Sequence, residues 1–256
     1  LTLHIDQGRI GKVSYYRLPD AYENIYAEDR PKKRAPYDGY FSPAQLNMRL
    51  ASLEPADPFN YLSLHQELFA LNSHPDLVMH TDMRIREEQE QRFVDLDFYV
   101  EDRAPLHYAI TLKNTGTPDT DEERLLISVQ HLNLTKHDDA LTIALTGSLD
   151  LETLRGISGS YLIPHEKGLG GGLSVLAGYA ELDADILFGD LRTTGDSSYA
   201  GMRYFQRLVD APSYGLNVTF GLQYSDSADE LFLQGTPIQG TDVELLPATL
   251  GLVYFA

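Results

Sequence analysis

The chain has 256 residues, a net charge of −18 and no cysteine. Without thiols, disulfides, thiolate nucleophiles and cysteine-ligated zinc are excluded. The one basic cluster, Arg30-Pro31-Lys32-Lys33-Arg34, reads as a solvated loop, so the chain lacks the clustered Lys and Arg that nonspecific binding to nucleic acid or anionic lipid requires.

Leu1, Leu3 and Ile5 alternate with Thr2 and His4, and a turn at Asp6-Gln7-Gly8 leads into a second strand over residues 10–16. Residues 18–39 are polar and irregular. Ser42 is placed as a helix N-cap, with Pro43 at the first helical position, Gln45 to complete a capping box, and Leu46, Leu50 and Leu53 at helical spacing. Asn60 caps a second helix carrying Leu64, Leu68 and Leu71 on one face, and His74-Pro75 ends it. Two strands follow, over residues 77–86 and 92–100, joined by Glu87-Glu88-Gln89-Glu90-Gln91. This order predicts a three-stranded sheet with two helices over one face, an α+β module.

In the last of these strands Val94, Leu96, Phe98 and Val100 alternate with Asp95, Asp97 and Tyr99. After a break at residues 101–105 the character changes. Leu106, Tyr108, Ile110 and Leu112 alternate with His107, Ala109, Thr111 and Lys113, and from there strand follows strand with no helix. About eight strands are expected, long enough at ~9 to 11 residues to cross a bilayer when tilted. Short connections are predicted at 135–138, 164–168 and 210–213, longer ones at 114–123, 192–198 and 226–241, and an intermediate one at 150–155. Tyr108, Tyr161, Tyr179, Tyr199, Tyr204, Tyr224 and Tyr254 fall mostly near strand ends. Alternating loop lengths and rim tyrosines suit an outer-membrane barrel. A tyrosine-rich soluble sheet fits the same alternation.

Gly39-Tyr40-Phe41-Ser42-Pro43-Ala44-Gln45-Leu46, then Pro58-Phe59-Asn60, then Leu68-Phe69-Ala70-Leu71-Asn72-Ser73-His74-Pro75 resemble, in this order, the second POTRA domain of two-partner secretion transporters. The resemblance continues through Leu112-Lys113-Asn114-Thr115-Gly116, through His131-Leu132-Asn133-Leu134 with Asp138-Asp139, and through Ser158-Gly159-Ser160-Tyr161-Leu162-Ile163-Pro164, which are similar to the start of the transporter barrel. It implies that residues 1–8 are the last strand of a preceding POTRA domain, 9–104 a POTRA domain, and 105–256 the N-terminal half of an outer-membrane β-barrel. That half holds the first ~8 of about 16 strands. The family's N-terminal plug helix, its first POTRA domain and the arginine of its lumenal loop have no counterpart. A half-barrel would expose two strand edges, so the chain is expected to be a fragment of a larger product.

No catalytic, metal or cofactor site is expected. Gly156-Ile157-Ser158-Gly159-Ser160 departs from the nucleophile elbow at its last residue, and no Lys-Ser or Lys-Thr follows the glycines at 168–172. His131, His137, Asp138 and Asp139 match no zinc spacing and straddle a tight turn. Arg203 and Arg207 lie opposite Met202, Tyr204 and Leu208; in a barrel they are expected to face the lumen, where a charge avoids the ~2 to 4 kcal/mol it costs toward lipid, and an ordinary wet sheet face would accommodate them equally. A client is expected on the strand over 76–86, at Leu77, Met79, Met83 and Ile85 with Leu64 and Leu68 of the helix beside it, although each of these also fits as core. The resemblance implies a non-enzymatic pore, monomeric as a barrel and embedded in outer-membrane lipid. Its POTRA module would lie in the periplasm and receive an unfolded exoprotein through the exoprotein's N-terminal secretion domain. A POTRA-barrel protein that assembles other barrels, or a soluble β-rich binding protein, are the rival readings.

Overall fold

The computed structural model describes residues 8–18, 35–53, 59–88, 91–116, 122–165, 171–186, 191–211 and 214–255. It divides into two compact units, Leu1–Pro105 and Leu106–Ala256. The expected first strand, most of the irregular stretch and the basic cluster lie outside the described residues.

The first unit is a three-stranded sheet in the order β1-β3-β2, with β1 at Arg9–Arg17, β2 at Leu77–Glu88 and β3 at Gln91–Asp102. β3 lies in the middle, parallel to β1 and antiparallel to β2. Helix α1 spans Pro43–Arg49 and a short 3-10 turn follows at Ala51–Leu53. Ser42 caps α1 by accepting from the Gln45 N–H at 3.2 Å, and Pro43 opens the helix where its missing N–H costs nothing. Helix α2 spans Tyr61–Leu71, and the Asn60 side chain accepts from the N–H groups of both Leu62 and Ser63. Leu46, Leu50, Leu64 and Leu68 of the helices close on Leu77, Met79, Leu96, Phe98 and Val100 of the sheet, forming one apolar core. Tyr37 belongs to that core, although it lies in the stretch read from sequence as irregular. Burial pushes its phenol pKa up, and the hydrogen bond it donates to Asp102 adds to the shift.

β3 is buried beyond its apolar face. Asp97 and Tyr99, read as the wet side, are also buried. Arg84 of β2 pairs with Asp97, so the carboxylate is taken from water with its partner in place. β3 also runs on to Asp102, so the break between the strands narrows to residues 103–105.

The second unit is one antiparallel meander: β4 (Leu106–Asn114), β5 (Glu123–His131), β6 (Ala140–Ser148), β7 (Leu154–Pro164), β8 (Gly171–Ile186), β9 (Leu191–Ala211), β10 (Tyr214–Leu233), β11 (Thr236–Leu245) and β12 (Ala248–Phe255). Each strand from β4 to β10 pairs with the next, while β11 and β12 lie end to end along β10, interrupted at Leu246-Pro247. Proline has no N–H to donate, and its carbonyl accepts from the Gln223 N–H at 3.1 Å. The nine strands therefore occupy eight lanes, the number the alternation predicts.

Two expected loops are strands. Residues 192–198 lie inside β9, and residues 226–241 lie in β10 and β11 on either side of a two-residue turn, Gln234-Gly235, with both φ values positive. Their Asp, Ser, Thr and Gly content suggested loops. Backbone pairing runs from Ser225 to Leu233 with both neighbours, broken on the β11 side by one register shift between Leu231 and Phe232, and it satisfies the chain whatever the side chains, so a hairpin wet on both faces is stable there. The asymmetry between the two ends of the sheet thus resides in strand length as well as in loop length.

Candidate functional site

In the first unit one feature open to a partner is the edge of β2, because among the described residues β2 pairs with β3 alone. The Asn72 side chain occupies the start of that edge. It accepts from the Met79 N–H at 2.7 Å and donates to the Met79 carbonyl at 2.9 Å, standing in for a neighbouring strand. In an antiparallel pair the backbone groups of alternate residues point to opposite sides. Those of Met79 point away from β3, and so do those of Thr81, Met83, Ile85 and Glu87 beyond it. Of the residues predicted to contact a client, Leu64, Leu68, Leu77 and Met79 are buried in the core, where they hold the sheet to the helices. Met83 is exposed and Ile85 more so, at 76%. The structure therefore leaves, as contact surface, these two side chains and the backbone edge that carries them.

The sheet's other face is laced by charge. Besides Arg84 with Asp97, Arg86 contacts Asp95 and Glu88 there, whereas Arg92 and Glu87, in contact at 2.8 Å, continue the face of Val94 and Ile85. The Lys12 N–H donates to Asp95, which with Arg86 holds that carboxyl below the ordinary range.

In the second unit the pairing register decides which residues share a face. One face carries Tyr108, Ile110 and Leu112 of β4; Leu125, Ile127 and Val129 of β5; Leu141, Ile143 and Leu145 of β6; and Ile157, Tyr161 and Ile163 of β7. It continues through Leu173, Val175 and Tyr179 of β8, Met202 and Tyr204 of β9, Val218, Phe220 and Leu222 of β10, and Leu250 and Leu252 of β12. These are large apolar side chains on the outside: Tyr108 is 81% exposed and Leu250 79%. Within this band no strand contributes a charge to that face. Its charged residues, among them Glu123, Arg155, Glu181, Asp196 and Asp226, all lie toward the end bearing the long hairpins. Tyr179 and Tyr224 sit directly below the first charged positions, Glu181 and Asp226. From Leu216 to Tyr224 the band runs ~25 Å along the strand.

Tyr199 departs from the expected rim. It lies on the opposite, polar face across from Gly178, where an added methyl would come within 2.6 Å of the ring. Arg203 and Arg207 share that polar face, with Arg203 opposite Ser174 and Gly221, and Arg207 opposite Asn217.

Sequence reading did not anticipate the link between two of the motif pieces it singled out. The turn joining β5 to β6 is stapled from within: Asn133 accepts from the Asp138 N–H at 3.0 Å, and Asp139 accepts from the Thr135 N–H at 2.9 Å. Tyr161 of β7 donates its hydroxyl to the other oxygen of Asp139. Burial works against the ionised form of Asp139, but these hydrogen bonds outweigh it and hold its carboxyl below the ordinary carboxylate range. His131 supports the turn by accepting from the Asn133 N–H. Among the described residues there is no cluster of three or more metal-ligating side chains.

No family model matches the sequence, and no curated protein matches it. Solved structures do. CdiB from Escherichia coli superposes over 97% of this chain with a TM-score of 0.69 at 14% identity, and CdiB from Acinetobacter baumannii over 96% with a TM-score of 0.63 at 16% identity. The fold is shared. This chain corresponds to 42% of the length of each of those chains. At such identity the likeness speaks for architecture alone, and it bears out the antiparallel all-β fold expected for the second unit.

Proposed function

We propose that the chain is part of an outer-membrane translocation pore that receives and exports an unfolded exoprotein, as in two-partner secretion. The observation that carries the membrane part is the apolar, charge-free band running across all eight lanes of the second unit, with a polar face behind it. Such a face has no stable home in water, because exposed apolar area costs ~25 cal/mol per Å². In a bilayer it is the side that meets lipid, and every backbone group inside the sheet is paired. The polar face then lines the conduit, with Arg203 and Arg207 in it.

In this reading the first unit is the POTRA module, lying in the periplasm. It takes the client as an added strand along β2 from Thr81 to Glu87, beyond the edge position that Asn72 occupies. Main-chain pairing supplies affinity for an unfolded chain, and Met83 and Ile85 supply adaptable apolar contact.

Two experiments test the two halves. Membrane fractionation of the full-length protein, with electrophoresis of heated and unheated samples, should give an outer-membrane species whose migration changes on heating. A product soluble without detergent would refute the barrel. For capture, Met83→Pro removes an N–H that points away from β3, so the sheet keeps its ladder while the edge loses a donor. Binding of an unfolded secretion-domain peptide should fall about tenfold, the loss expected for ~1.4 kcal/mol, while Met83→Ala stays near wild type. Unchanged binding by the proline variant would remove the role given to β2. Capture of barrel precursors in place of the secretion-domain peptide would turn the reading toward an assembly factor.

A further inference from the structure

The polar face of the second unit has a charge opposite to that of the chain. Pairing partners share a face, so the register carries that face from Arg203 to Ser174, Leu162 and Ala140 in one direction and to Gly221 and Thr249 in the other. Followed through every lane, it holds Lys113 on β4, Arg124 on β5, and Arg203 and Arg207 on β9. Two carboxylates set against these four cations are Asp229 of β10, out in the long hairpin, and Asp210 at the far end of β9, which beyond a register shift pairs with Gly215 of the same face. Glu123, Glu181, Asp242 and Glu244 belong to the opposite face above the apolar band. The chain's −18 therefore lies elsewhere.

One pair makes the bias sharper. Lys113 stands directly across from Arg124, and like charges directly opposite in an antiparallel pair repel.

We propose that this face makes the conduit anion-favouring, so that carboxylate-bearing stretches of an extended polypeptide, and small anions, enter it in preference to cations. The inference rests on the barrel reading above. Fixed charges of one sign in a wall of low dielectric concentrate the opposite ion, and rings of Arg and Lys line pores that select anions.

The test uses the full-length protein in planar bilayers under a potassium chloride gradient, with chloride and potassium as the probes. Chloride should permeate over potassium by about twofold or more. The double variant Arg203→Gln, Arg207→Gln should move the ratio toward one, and Arg203→Lys, Arg207→Lys should keep it, each variant first shown to be folded by heat-modifiable migration. A cation-preferring or unselective wild type, or a glutamine variant with the wild-type ratio, overturns the inference and leaves the barrel standing. Protein that neither inserts nor conducts overturns both.

Discussion

The two units solve the same problem in opposite directions. In the first, Leu96, Phe98 and Val100 are fully buried between sheet and helices, and the sheet's far side is a lattice of ion pairs. In the second, most of the large aliphatic and aromatic side chains share one exposed face and most of the small polar ones the other. Both use strands of alternating pattern. The helices make the difference, since they give the first unit an apolar partner of its own, whereas the second has nothing within the described chain to cover its apolar face. An alternating strand specifies two faces, and its surroundings decide which of them meets water.

Substitutions can break this contrast, beginning with the strongest. Phe98→Ala empties a closed core and should cost ~3 to 5 kcal/mol, read by denaturant unfolding of the first unit's circular-dichroism signal. Phe220→Ala, the same change on the outward face, should cost far less in detergent micelles, because the solvent refills the space. Next, Leu145→Arg places a charge in the apolar band and should cost ~2 to 4 kcal/mol in lipid, while Thr146→Arg, one residue on and facing the other way, should be nearly neutral. Folding yield into lipid vesicles separates the two, and equal penalties would show that the faces are misassigned.

The stapled turn comes third. Tyr161→Phe leaves a buried Asp139 oxygen without its donor and should cost ~1.5 to 3 kcal/mol. Because the folded pKa of Asp139 lies below its unfolded value, the carboxylate's contribution is complete above the ordinary carboxylate range near ~3.9 and is lost as pH falls through the folded value. Acid titration of stability should therefore show a loss below about pH 4 that Asp139→Asn removes. The smallest effect belongs to Ser42→Ala, which deletes the cap of α1 at ~1 kcal/mol and should leave the second unit's thermal transition untouched.

Much of this was legible in the order of residues. The caps at Ser42 and Asn60, the leucine stripes behind them and the count of eight lanes follow from spacing alone, since a helix repeats near every fourth residue and a strand every second. Composition misled where it was allowed to stand for conformation. The Asp, Ser and Gly content of residues 192–198 and 226–230 suggested loops, yet these are paired strands, because backbone pairing does not depend on side-chain polarity. Tyr199, expected near a strand end, lies on the polar face for a related reason, since position along the chain does not say what folds over a side chain.

What the sequence determined by itself is therefore local and periodic: two kinds of element, a boundary near Pro105, and in each strand one apolar and one polar face. Tertiary structure alone decided three further matters. It separated the buried Leu64, Leu68, Leu77 and Met79 from the exposed Met83 and Ile85. It brought Asp139 to Tyr161 across two strands. It gathered Lys113, Arg124, Arg203 and Arg207 on one face of a chain that is otherwise acidic. All three depend on register between segments far apart in sequence, and a one-residue slip in that register would turn every side chain to the other side.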